Sequence, residues 1–183
     1  VEARRNGLRI AVDPISATNG FYVFNQTPSK GQVGVIEGYA ELAIPLLRDS
    51  VLGSSLEING AVRQARYTNT SAGTKSRFDA TTWKLGATYR PVDWLMLRAT
   101  QSRDIRAPNT SELFTTPVGG QAALVDTKTS TQVFAQTFTG GNINLKPERA
   151  QTFTAGATLQ PDGALRGFRF SADYYNIRID SAI

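Results

Sequence analysis

The chain has 183 residues, 20 Lys+Arg against 15 Asp+Glu, a formal net charge of +5, and neither Cys nor His. Those two absences exclude disulfide stapling, Cys- or His-ligated zinc and the nucleophilic pairs built on imidazole or thiolate. The composition, 40% hydrophobic with 19% charged residues, is too apolar for a disordered chain, and the cations are scattered singly without the clustered footprint of a nucleic-acid binder.

No stretch approaches the ~20 consecutive apolar residues of a membrane-spanning helix. The opening Val1-Glu2-Ala3-Arg4-Arg5 lacks the apolar core of a signal peptide. What the chain offers is alternation, the mark of strands with two different faces. The first such segment, residues 34–46, sets Ile36, Ala40, Leu42, Ile44 and Leu46 against Val35, Glu37, Tyr39 and Glu41. In 55–67, Leu56, Ile58 and Val62 oppose Glu57, Asn59 and Arg63. Residues 82–90 place Trp83, Leu85 and Tyr89 opposite Lys84, Thr88 and Arg90, and 94–103 place Leu95, Leu97 and Ala99 opposite Arg98 and Thr100. Two more strands follow at 151–160, with Phe153 and Leu159 opposite Thr152 and Thr154, and at 166–175, with Phe168, Phe170 and Tyr174 opposite Arg169 and Asp173. Beyond Tyr175 the apolar parity changes to Ile177 and Ile179, which predicts a bulge or an exit from the two-faced environment.

Connections alternate in length. Short turns rich in Pro, Asp and Gly are expected at 47–54, 91–93 and 161–164, and long polar loops at 13–32, 68–81 and 104–150. Short, long, short, long describes an all-β, up-and-down antiparallel meander with its long loops on one side. Two closed forms satisfy it. A soluble barrel or sandwich would bury the apolar set; an outer-membrane barrel would turn it to lipid and line its lumen with the polar set. Tyr89 and Trp94, flanking one short turn, fall where an interfacial aromatic girdle would lie, or are ordinary core residues.

Two motifs then carry a family likeness. Leu97-Arg98-Ala99-Thr100 through Ser102-Arg103, Arg106-Ala107-Pro108-Asn109 and Glu112-Leu113-Phe114 closely resembles the R-A-T-x-S-R-x-x-R-A-P-N-x-x-E-L-F stretch of TonB-dependent outer-membrane receptors. Gly141-Asn142-Ile143-Asn144-Leu145-Lys146-Pro147-Glu148 resembles that family's G-N-P-x-L-K-P-E box, with Ile143 where Pro is usual. The resemblance covers residues 33–183 and implies about six or seven strands of a 22-stranded transmembrane barrel, an interior slice without its plug domain. It implies a bacterial outer-membrane location, and as partners the membrane lipid, the plug and remaining barrel strands, the TonB complex acting through the plug, and a small-molecule or oligosaccharide solute. The implied activity is energised uptake of an iron chelate, cobalamin or oligosaccharide, with no catalysis and no cofactor. A passive porin or structural barrel, and a soluble β-type binding module, remain as alternatives.

Candidate residues follow from that frame. Asn142, Asn144, Lys146 and Glu148 of the second box with the adjoining Arg149, and Arg106, Asn109 and Glu112 of the first, sit at the ends of loop 104–150, either touching ligand and plug or holding the loop down. Opposite charge and position make Arg106 and Glu148 an expected pair. Phe21, Tyr22 and Phe24 in loop 13–32 are aromatic candidates for solute contact. Glu37, Glu41, Glu57, Lys84, Arg90, Arg98, Arg169 and Asp173 share the expected lumenal face, where cross-strand pairing is the alternative to an ion path. Asp13, Asp49, Asp79, Asp93 and Asp162 are read as turn residues; no spacing resembles a calcium loop, and no metal site is expected. Three sequons start at Asn25, Asn69 and Asn109.

Overall fold

The computed structural model describes residues 1–22 and 25–183. Nine strands are present among them. β1 (Glu2–Ile10), β2 (Ser29–Ser50), β3 (Gly53–Ser71), β4 (Thr74–Val92), β5 (Leu95–Arg106), β8 (Glu148–Leu159) and β9 (Phe170–Asp180) form one seven-stranded sheet in that order, every neighbouring pair antiparallel. β6 (Val118–Val125) and β7 (Gln132–Thr139) make a separate hairpin inside the connection between β5 and β8. The meander is as expected, and the strand count exceeds the six or seven read from alternation.

Strand pairing assigns two faces. Ile36, Leu42, Ile44, Val62, Trp83 and Leu85 share the outer face, all more than a third exposed. Glu37, Glu41, Glu57, Lys84, Arg98 and Asp173 share the inner one. The upper edge of the apolar outer band lies at Ile36 on β2, Val62 on β3, Trp83 on β4, Phe153 on β8 and Tyr174 on β9. Tyr174 is in register, through Ala155, Ala99, Ala87 and Ile58, with Ile44 rather than Ile36. The band therefore runs obliquely to the strands. At about 3.4 Å per residue and 4.8 Å per strand, the displacement corresponds to a tilt of about 45°, as in outer-membrane barrels.

Three expectations change. Residues 68–81 are not a loop: β3 and β4 continue to a two-residue turn at Ala72 and Gly73, with φ of 46° and 81°, the left-handed pair that suits a tight hairpin. β2 likewise starts at Ser29, inside the expected loop 13–32, and β1 precedes it unanticipated. With 22 residues in β2 and 19 each in β3 and β4, these strands are about twice the ~9–11 needed to cross a bilayer, and their far halves are polar on the outer face, so alternation fades while the ladder continues. At the other end of the sheet, residues 166–169 precede the last strand, leaving Arg169 beside Arg90 and Met96 rather than in the ladder.

The parity change at Tyr175 is also resolved differently. β8 and β9 pair without any register shift from Phe170 to Asp180, so there is no bulge, and Tyr175, Ile177 and Ile179 turn to the inner face with Asp173. The same inversion occurs on the other strands. Leu8, Val33, Val35, Ala65, Tyr67 and Phe78 occupy the inner face at this end, and Tyr67 stacks on Phe78 with centroids 4.6 Å apart. These residues form the core, on which Leu113 and Phe114 dock.

Candidate functional site

The connection between β5 and β8 is anchored where both resemblance boxes meet. After Arg106 the buried Pro108, lacking a donor, ends the ladder, and α2 (Thr110–Phe114) begins. Its entry is a capping box: Asn109 Oδ1 accepts from the Glu112 amide at 2.9 Å, and the Asn109 amide donates to Glu112 Oε2 at 2.8 Å. One turn of helix needs more than a cap to hold its place. Leu113 and Phe114, 3% and 4% exposed, supply it by docking on the inner face of β2 and its neighbours. The Phe114 ring lies directly over Gly31, where a Cβ would fall within 2.5 Å of three ring atoms, and the Ser29 hydroxyl donates to the Phe114 carbonyl.

Arg106 joins the three segments. Its Nε and Nη2 donate to Glu148 Oε2 and Oε1 at 2.8 and 2.9 Å, a bidentate pair, while Nη1 donates to both Glu112 oxygens at 3.0 and 3.2 Å. The group stands past the outer band, beyond any membrane-spanning part. Arg106 holds the Glu148 carboxyl down at about 2, helped by the Ile183 amide. The Asn109 amide, then Arg106, lowers Glu112, and the two carboxylates raise Arg106. The second box closes on the helix: the Gly141 amide donates to Thr115 O at 2.7 Å and the Asn142 amide to Glu112 O at 2.8 Å. Asn142 Oδ1 accepts from the Asn144 amide at 2.9 Å. Lys146 is exposed and makes no ion pair among the described residues. Asn109, Glu112, Asn142 and Asn144 thus have internal partners.

Elsewhere the candidates separate. Phe21 and Tyr22 are exposed, and Phe24 lies outside the described residues. Glu37 is 4% exposed and bound by Arg63, with Arg4 4.0 Å away; neither arginine was singled out, though Arg63 shares the alternation of that face. Arg98 and Asp173 form a forked pair, with contacts of 2.6–2.9 Å, that spans β8 over Gly156, where a Cβ would overlap Asp173 Oδ1. Glu41, Glu57 and Lys84 make no ion pair among the described residues. Glu37, Glu41, Lys84 and Asp104 line one open recess of about 580 Å³.

Asp13 caps α1 (Pro14–Ala17), accepting from the Ile15 amide at 2.8 Å, and Asp93 accepts from Ser54 at 2.6 Å. Asp79 is instead a strand residue paired with Arg66 at 2.8 Å. Asn69 is 1% exposed and its Oδ1 has no hydrogen-bond partner among the described residues; Asn109 is committed to its cap. Among the described residues no cluster of three His, Cys, Asp or Glu is placed to hold a metal. The residues missed by sequence reasoning are Gly31, Ser29 and the pair Leu113 and Phe114 in their docking role. A Leu-Phe dipeptide one turn after a capping box was the available signal.

No curated protein and no solved structure gives a significant match to the chain. A family model does, that of the TonB dependent receptor-like β-barrel, over residues 3–183. It takes in the whole seven-stranded sheet and the anchored loop, so the chain belongs to the TonB-dependent receptor-like β-barrel family of the outer membrane.

Proposed function

We propose that the chain is part of the wall and mouth of a receptor that takes up a scarce solute, an iron chelate, cobalamin or an oligosaccharide, with energy delivered by TonB through a plug domain. On this reading the outer band meets lipid, the inner face lines the lumen of a barrel of about 22 strands, and the hairpins opposite the 72–73 turn end in the periplasm. The observation that carries it is the site at Arg106, where two boxes from the ends of a long connection are held together and the connection is folded over the inner face. Such an anchored loop shapes an entrance without performing chemistry. Its exposed Lys146 and the β6–β7 hairpin are the parts free to meet solute, with Phe21 and Tyr22 of the neighbouring loop.

Uptake of labelled solutes by cells carrying the receptor, with and without TonB, tests this. Accumulation of one solute class that vanishes without TonB is expected. Equal accumulation in both strains would identify a passive pore.

A further inference from the structure

We infer that the short-turn rim of the inner face holds a binding site for a small phosphate, either the free ion or a soluble monoester. The site is a recess of about 120 Å³ lined by Arg90 and Arg169 with Trp94, Met96, Thr158 and Gln160. It lies at the end of the sheet opposite the 72–73 turn, where the β4–β5 turn and the β8–β9 connection come side by side. Strand pairing sets its floor. Met96 on β5 stands opposite Thr158 on β8, Thr158 stands opposite Ser171 on β9, and beyond them the Gln160 amide donates to Trp94 O at 2.8 Å. The two arginines come in from the flanks, Arg169 from just before β9 and Arg90 from the register shift between β4 and β5, a kind of irregularity that re-aims a side chain out of the ladder.

Two guanidiniums brought to one recess repel each other, and an anion between them turns that cost into a gain. Neither makes an ion pair among the described residues. Arg90 Nη2 is 3.7 Å from Met96 Sδ, a weak acceptor, on the side away from Glu57 of β3. The carboxylates at hand are engaged: Asp93, which also lines the recess, accepts from the Ser54 hydroxyl at 2.6 Å, and Asp173, the next inner-face residue of β9 after Ser171, is forked to Arg98. Thr158 is 3% exposed and its hydroxyl has no hydrogen-bond partner among the described residues, a state that burial penalises. With the two amide donors of Gln160, the lining is rich in donors and poor in acceptors.

Size and charge choose the occupant. The volume has room for several atoms of water size, enough for a phosphate group and too little for an oligosaccharide or a metal chelate. A planar carboxylate fills one guanidinium fork. A tetrahedral phosphate, with about −1.5 to −2 charge near neutral pH, offers oxygens to two forks that approach from different sides. Bound there, one anion ties the β4–β5 turn to the β8–β9 connection. The site follows from the rim alone and holds whichever solute the receptor carries.

The receptor carrying this chain, purified in dodecylmaltoside at low ionic strength, is titrated by calorimetry with inorganic phosphate, glycerol phosphate and acetate. Saturable phosphate binding is expected, with Arg90→Gln and Arg169→Gln each weakening it about tenfold or more. Lys84→Gln removes an inner-face cation outside the recess and is expected to bind as the wild type does. Glycerol phosphate binding more tightly than inorganic phosphate identifies a monoester as the occupant, and the reverse order the free ion; either supports the site. No saturable phosphate binding, acetate binding as tightly as phosphate, or phosphate affinity in both arginine variants within about twofold of wild type would overturn it. A loss in Lys84→Gln equal to that in Arg90→Gln would do so too, because it would show a response to the general charge of the inner face.

Discussion

Replacing Gly31 by Ala separates the docking of the loop from the integrity of the sheet. Gly31 lies inside β2 on the inner face, in ordinary extended backbone, so alanine there is tolerated by the strand and even favoured by up to about 1 kcal/mol. The added methyl, however, falls within 2.5 Å of Cγ, Cδ1 and Cδ2 of Phe114, whereas carbon atoms rest near 3.5–4.0 Å. The ring must rise by more than an ångström, and it carries α2 with it. Burying a phenylalanine side chain is worth about 1.5–3 kcal/mol, so losing most of that burial outweighs the gain in strand preference. The net cost is about 1–2 kcal/mol, roughly a fivefold to thirtyfold rise in the undocked fraction of the loop. Hydrogen exchange reads it through the Leu113, Thr115, Gly141 and Asn142 amides, all bonded within the docked segment. Their protection is expected to fall while that of β3 and β4 holds. Because Phe114→Ala removes the same contact, adding Gly31→Ala to it costs no more. Unchanged loop protection in Gly31→Ala, or additive losses in the double variant, would refute the account.

Arg106→Ala and Glu148→Ala should each loosen the loop and weaken solute uptake, the double change being no worse than either single; additive losses in a double-mutant cycle would show independent roles. Because Glu112 and Glu148 are held below the ordinary carboxylate value, with Glu148 at about 2, their contribution to the loop base is full above about pH 4.5 and is lost as pH falls towards 2, which proteolytic nicking at 107–147 across that range would follow. Leu85→Arg on the outer band should impair folding into lipid by about 2–4 kcal/mol and Thr88→Arg on the inner face by less, measured by urea unfolding in liposomes; the reverse order would contradict the orientation. Gly156→Ala should displace Asp173 from Arg98 and match Asp173→Asn in its effect on unfolding, with no further loss when combined.

What the sequence made legible was the half of each strand in which one face is apolar and the other is not. There, alternation located residues 34–46, 55–67 and 82–90 and assigned Glu37, Glu41, Glu57, Lys84 and Arg98 to one face. The other half was misread for a physical reason. On β3, Arg66 and Thr68 alternate with Ala65, Tyr67 and Asn69, a pattern whose apolar parity is opposite to that of Leu56, Ile58 and Val62, so it reads as polar loop. β1 failed for the same reason, with Arg4, Arg5 and Arg9 interrupting it. The anchor pair Arg106 and Glu148 was legible because charge and position suffice to place it. The docking of Phe114 was not, since it depends on Gly31 standing opposite it from the far end of another strand, a juxtaposition that only β2 pairing creates.

The inversion of parity also explains why the anchored loop sits where it does. A sheet whose apolar residues stay on one face presents a polar surface to its other side throughout, and a loop folded onto it would bury backbone groups against charge. Here the apolar residues change face at the level where the outer band ends. Below that level Ile36, Leu42, Val62 and Trp83 are outward; above it Val33, Val35, Tyr67 and Phe78 are inward and Gln64, Arg66 and Asp79 outward. The upper inner face can therefore accept Leu113 and Phe114, and the upper outer face is left for charge. Had Val33 and Val35 been polar, α2, one turn long, would have neither the helical length nor the apolar footing to remain docked. Arg106 alone, an exposed pair by geometry, would not hold it. Loop and sheet are thus coupled by where each strand's hydrophobic set changes sides, and the guanidinium fixes the register of a contact that apolar burial makes possible.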